Sequence, residues 1–126
     1  MYHVDITNTA GYVFEIKSKD YVFTVDIKGK GITPPDTLLA SLGSCIGVYV
    51  RKYAESAKLE IKEVKISVDA EFTKEVPLRF QVINAGIDLC GAKLDERRQA
   101  ALLEFIKNCP VHNTLAAHPE VNIKIG

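Results

Sequence analysis

Between Leu38 and Val50 only Ser41 and Ser44 are polar, so the stretch has no face suited to water and must be buried on every side. Thr33 followed by Asp36 has the form of a capping box. Pro34 suits a first helical turn, because the N–H it lacks would have no partner there. The pattern predicts one long helix from the Thr33 cap to about Ala57, with Cys45 near its middle. Gly43 and Gly47 are four apart and share a face, where the missing side chains leave room for another backbone such as a second helix. At about 100° per residue Cys45 points roughly the opposite way.

The flanking segments supply sheets to cover such a helix. Tyr2, Val4 and Ile6 alternate with polar positions, as do Tyr12, Phe14 and Ile16, and then Tyr21, Phe23, Val25 and Ile27. Turn residues at Asn8–Gly11 and Ser18–Asp20 separate them, which predicts a three-stranded N-terminal meander. After the helix, Val64, Ile66, Val68, Ala70 and Phe72 alternate with Lys65, Ser67, Asp69 and Glu71, the signature of an antiparallel strand with one wet face. A further strand follows Pro77. Its apolar parity switches from Leu78, Phe80 and Val82 to Ile83, Ala85, Ile87 and Leu89, which predicts a bulge near Asn84 or two short strands. Asp95 is placed to cap a helix through Lys107, Pro110 to open a second over Pro110–His118, and Val121–Ile125 to close the chain as a strand. The expectation is an α+β architecture: a meander, a long central helix, antiparallel strands, two C-terminal helices and a final strand.

The length of 126 residues points to one domain, residues 1–126. Sixteen basic residues balance sixteen acidic ones, so no charge excess favours nucleic acid or an anionic membrane. Small, apolar partners are expected instead. The N-terminal Met-Tyr-His-Val-Asp lacks the basic segment and apolar run of a signal peptide, and no apolar stretch approaches the ~20 residues of a membrane span. Three cysteines, an odd number, argue for free thiols in a reducing, cytoplasmic setting.

Each thiol taken singly reads as a small buried hydrophobe. Cys45 inside the apolar helix and Cys109 at a helix-to-helix junction are more informative as a pair. A peroxide-reducing thiol needs a second thiol near enough to condense with its sulfenic acid before over-oxidation. Cys109, just before the helix opened by Pro110, is the expected more acidic member, since an N-terminal helix dipole stabilises a thiolate. Cys90, ahead of Gly91, reads as a buried structural thiol. His112 follows Cys109 at a metal-like spacing, but one Cys-x-x-His without a second pair is poor evidence for zinc. Tyr49, four residues after Cys45, shares its face and reads as core or pocket lining.

The stretch Pro-Pro-Asp-Thr-Leu-Leu-Ala-Ser-Leu-Gly-Ser-Cys45-Ile-Gly, followed later by Asn-Cys109-Pro-Val-His-Asn-Thr-Leu115, resembles the OsmC/Ohr family of osmotically inducible and organic hydroperoxide resistance proteins. The order of strands and helices over the whole chain is similar as well. The resemblance implies an intertwined homodimer with the long cysteine helices packed centrally and a site at the subunit interface. It implies Cys45 as the peroxide-attacking thiol, Cys109 as the resolving one, a small organic hydroperoxide as substrate and a dithiol reductant, without cofactor or metal. Peroxidase members place an arginine from the N-terminal strands beside the reactive cysteine, held by a glutamate just before the long helix. Asp36 matches that glutamate. No arginine precedes Arg51, which leaves Lys17, Lys19, Lys28 and Lys30 as candidate cations, and lysine cannot make a bidentate guanidinium contact. Asp36 also reads simply as the acid of the capping box. Three functions follow: a thiol peroxidase, an OsmC-fold protein that binds a small apolar ligand or reactive sulfur species without turnover, and a zinc module using Cys45, Cys90, Cys109 and His112. Of these the peroxidase is the first expectation and the zinc module the last.

Overall fold

A computed structural model describes residues 1–126. The element order is β1 (Asp5–Thr7), β2 (Val13–Ser18), β3 (Tyr21–Asp26), α1 (Pro34–Ser56), β4 (Lys65–Phe72), β5 (Phe80–Asp88), α2 (Glu96–Ile106) and α3 (Pro110–Ala117). The chain divides into two compact units, Met1–Ala40 and Ser41–Gly126, with the division falling inside α1. No helix is long and apolar enough to cross a membrane.

In the first unit β1, β2 and β3 form an antiparallel sheet in that order. Strand alternation puts the row Ile6–Ile16–Phe23 and the pair Phe14–Val25 on one side of the sheet. The β2–β3 hairpin turns through Lys19, which adopts φ 55°. After β3 the chain is clamped by Asp26. Its two carboxylate oxygens accept from the backbone N–H groups of Lys28 and Lys30, each at 2.9 Å, and its own N–H donates to the Ile32 carbonyl at 3.0 Å. Glycine is required at position 31, because a Cβ there would lie 2.5 Å from the Thr24 carbonyl oxygen.

The long helix forms where its caps predict. The Asp36 N–H donates to Thr33 Oγ1 at 3.2 Å, and Thr33 Oγ1–H donates to Asp36 Oδ2 at 2.8 Å. At the other end Lys58 turns left-handed (φ 56°) and the Leu59 N–H reaches the Ala54 carbonyl at 2.8 Å, a closure that satisfies carbonyls the helix would otherwise strand.

In the second unit Leu42, Ile46 and Val50 of α1 meet Leu102 and Ile106 of α2, with Ile66, Val68, Ile83 and Ile87 of the β4–β5 sheet around them. The glycine face of α1 does not serve a second helix. A Cβ on Gly43 would lie 3.0 Å from Val68 Cγ2, and one on Gly47 would lie 3.1 Å from Ile66 Cδ1, so both glycines let α1 settle onto β4 of the same chain. The bulge lies before Asn84. Ala70 pairs with Ile83 but Phe72 pairs with Phe80, so Gln81 and Val82 together oppose Glu71. That extra residue accounts for the parity switch.

Asp95 caps α2 by accepting from the Arg98 N–H at 2.8 Å, and Cys109 occupies the N-cap of α3. Both C-terminal helices thus form as expected. The final strand does not: residues 119–126 lie outside any helix or strand. A strand needs a neighbour to take up its N–H and C=O groups, and the single chain pairs no strand with this segment.

Candidate functional site

Cys45 sits midway along α1 and is half-buried, whereas Cys109 is fully buried at the start of α3. The fold places the Cys45 side chain near enough to Cys109 to act on its titration. The Cys109 sulfur also accepts from the His112 N–H at 3.4 Å, taking the place a serine or aspartate oxygen usually holds at a helix N-cap.

Burial pushes the Cys109 thiol above its ordinary value, and the neighbouring Cys45 side chain pushes it the same way, while the His112 and Val111 N–H groups pull against both. The Cys109 thiol is therefore not lowered in the way its helix N-terminus alone suggested. Desolvation of the charged form outweighs the dipole.

Asp36 completes the cap of α1 through its contacts with Thr33. Arg51 is likewise committed elsewhere. Its guanidinium donates to the carbonyl of Ile61 and, at 3.1 Å, to that of Lys62, which fastens the segment between α1 and β4. Among the candidate lysines, Lys28 lies 4.8 Å from the centroid of the Tyr12 ring. Lys28 and Lys30 border a concavity of about 800 Å³ in the first unit, with Thr7, Glu15 and Thr24 on its wall. Lys17 lies in β2 and Lys19 in the hairpin turn.

One cation escaped the sequence reading. Lys52 Nζ stands 4.8 Å from the centroid of the Tyr49 ring, and Tyr49 packs against Phe105 with ring centroids 5.9 Å apart. Tyr49 thus serves the core, as expected. Lys52 falls seven residues after Cys45, a spacing that returns to the same helical face and was the available signal.

Cys90 departs from its expected burial. It is exposed and left-handed (φ 52°), and it follows β5 in a turn where its N–H donates to Asp88 Oδ1 at 2.8 Å. Residual desolvation and the carboxylates of Asp88 and Glu63 hold its thiol above the ordinary range. The His112 ring is exposed, with Nδ1 3.0 Å from Asn113 Oδ1. Cys45, Cys90, Cys109 and His112 do not converge, and no group of three or more His, Cys, Asp or Glu side chains is arranged to hold a metal ion.

The chain is similar to several solved structures over nearly its whole length. An OsmC-like protein from Mycoplasma pneumoniae shares 19% identity, covering 94% of this chain and 89% of that one, with a TM-score of 0.82. An organic hydroperoxide resistance protein from Elizabethkingia anophelis shares 20% identity over 90% and 89% of the two chains, with a TM-score of 0.64. The organic hydroperoxide resistance protein OsmC from Legionella pneumophila shares 16% over 91% and 90%, also with a TM-score of 0.64. A search among curated protein sequences finds no significant match. At these identities the structural likeness establishes the fold. The family profile adds sequence evidence, since it matches residues 27–124, from the segment before α1 through both C-terminal helices. The chain belongs to the family of OsmC-like proteins.

Proposed function

We propose that this protein reduces small organic hydroperoxides to alcohols, with Cys45 as the attacking thiol and Cys109 as the resolving one. The observation that carries the reading is the neighbouring pair of unequal thiols, one half-buried and one fully buried. The Cys45 thiolate attacks the terminal peroxide oxygen, the O–O bond breaks, and the alkoxide leaves with a proton as an alcohol. The resulting Cys45 sulfenic acid then meets the Cys109 thiol. An S–S bond forms and water departs, sparing the sulfur from further oxidation. A dithiol reductant reopens the disulfide by exchange.

Asp36 is assigned a positioning role at the head of α1, where its contacts with Thr33 fix the first turn. The functional unit is a homodimer in which residues 1–126 act as one domain. Support for this comes from the family match, which runs across the division at Ala40, and from the exposed apolar residues of the N-terminal sheet. Unpaired thiols suit a reducing compartment, here the cytoplasm.

Stoichiometric cumene hydroperoxide should consume both thiols, and peptide mass mapping should find Cys45 linked to Cys109. Cys109→Ser should leave the sulfenic acid on Cys45 to be trapped by a dimedone-type probe. Intact thiols in a folded protein exposed to peroxide would overturn the reading. A second reading, binding of a small apolar ligand without turnover, is favoured by one observation: Arg51 is spent on backbone carbonyls and no other arginine precedes it. Disulfide formation with no sustained turnover across several dithiol reductants would select it.

A further inference from the structure

The N-terminal sheet has a polar side opposite its apolar one, and alternation puts Glu15 there with Thr7 and Thr24 as its cross-strand neighbours. The concavity of about 800 Å³ opens over this row. The next row of the same face, Val13–Asp26, leads towards the wall that carries Tyr12, Lys28 and Lys30. All of these residues belong to the first unit. The charges in the concavity are not spent on one another. Glu15, Lys28 and Lys30 take part in no ion pair, and the Lys28 ammonium lies over the Tyr12 ring instead. Asp26, the carboxylate closest to the two lysines along the chain, is buried with both oxygens engaged by backbone N–H groups. The Thr7 and Thr24 hydroxyls have no protein partner either.

We propose that this concavity binds a short zwitterionic peptide, with the peptide's N-terminal ammonium at Glu15 and its C-terminal carboxylate at Lys28 and Lys30. An ammonium carries three N–H donors, and the Thr7–Glu15–Thr24 row offers a carboxylate flanked by a hydroxyl on each side. At the other wall two lysine ammoniums can donate charge-assisted hydrogen bonds to a carboxylate. Separation selects a peptide over a single amino acid. The Glu15 and Val13 rows are two residues apart, about 7 Å along the strand, and both lysines follow Asp26, the partner of Val13. An α-amino acid carries both charged groups on one carbon and cannot reach both walls. Three extended residues span about 10 Å, which does. A simple anion would meet the lysines but also the Glu15 charge, and a simple cation the reverse, so neither uses the whole concavity. The walls are open to water, which weakens each charged contact and sets binding in the millimolar range.

The test titrates the isotope-labelled full chain with trialanine and follows the backbone amide signals of Thr7, Glu15, Thr24 and Lys28. These signals should shift together and saturate. N-acetylated trialanine and trialanine amide, each lacking one terminal charge, should bind about fivefold more weakly, and so should free alanine. Glu15→Gln should weaken trialanine about threefold yet leave the N-acetylated peptide unchanged, because the lost carboxylate and the lost ammonium are one contact. The double variant Lys28→Gln, Lys30→Gln should do the same for trialanine against its amide. The amide spectrum of each variant reports its fold, and Glu15→Gln keeps the shape of an exposed side chain. No saturable shift at these four amides would overturn the proposal. So would blocked peptides that bind as well as the free one, or a loss on N-acetylation that persists in Glu15→Gln. Acetate or free alanine binding as well as trialanine would show a site for a simple anion or a single amino acid, and the peptide assignment would fall. The thiols take no part in any of these readings, so the outcome is independent of the peroxide chemistry proposed above.

Discussion

The two units of the chain treat their apolar residues in opposite ways. In residues 41–126 Leu42, Ile46, Val50, Leu102, Ile106 and Cys109 are buried, and the apolar side chains of β4 and β5 pack around them. In residues 1–40 the buried positions are Val25 and Asp26, while Ile6, Tyr12, Phe14 and Phe23 remain open to solvent. Both regions carry regular strand alternation, so the difference is not one of pattern. A sheet has two faces, and a sheet without a covering layer leaves its apolar face wet however well it alternates. α1 and α2 provide that layer to β4–β5. The N-terminal meander has no such layer within its own unit.

The contrast can be broken most directly in the second unit. Ile46→Ala should cost about 2–5 kcal/mol of unfolding free energy in a urea titration, the range for truncating a buried aliphatic residue. A loss under 1 kcal/mol would mean that the core does not close around α1. Gly43→Val should cost about 1–3 kcal/mol by overpacking against Val68. Part of that loss should return in a Val68→Ala background, since neighbours in contact are coupled. Simple additivity would place the helix elsewhere than on β4.

A smaller effect concerns the buried thiol. Because folding raises the pKa of Cys109, the folded state prefers its protonated form. The associated stability is fully present below the ordinary thiol value, about 8.5, and is lost as pH rises through the higher folded value. Unfolding free energy should therefore fall on the alkaline side in the parent protein and fall less in Cys109→Ser. Equal pH dependence in both would show that burial does not govern this thiol. The smallest effect belongs to the first unit. Phe23→Thr should change unfolding free energy by no more than about 0.5 kcal/mol in samples dilute enough to be monomeric. A loss above 2 kcal/mol there would erase the contrast between the units, because Phe23 would have to be a core residue.

Much of this structure could be read along the chain. Thr33, Pro34 and Asp36 announced the start of α1, Asp95 that of α2 and Pro110 that of α3, because caps are local and their partners lie within four residues. The meander was legible from its alternation and turns. The thiols were harder. Their apolar surroundings were visible, but Cys109 was assigned a lowered pKa from its helix terminus, and its complete burial raises it instead. Cys90 was read as buried because cysteine usually is, yet the turn after β5 turns it outward. The Gly43–Gly47 face announced a close approach without saying to what, and the neighbour proved to be β4 rather than another helix.

The chain by itself determined where helices start, which strands alternate, and that one long apolar helix carrying Cys45 must lie inside. These depend on residues close in sequence, whose spacing and backbone preferences act before any long-range contact forms. Tertiary structure alone decided that Cys109 lies near Cys45 and is buried there, that α1 rests on β4, and that Val121–Ile125 stays unpaired in a single chain. Each depends on what residues distant in sequence place beside a group, since burial and pairing are properties of surroundings and not of spacing.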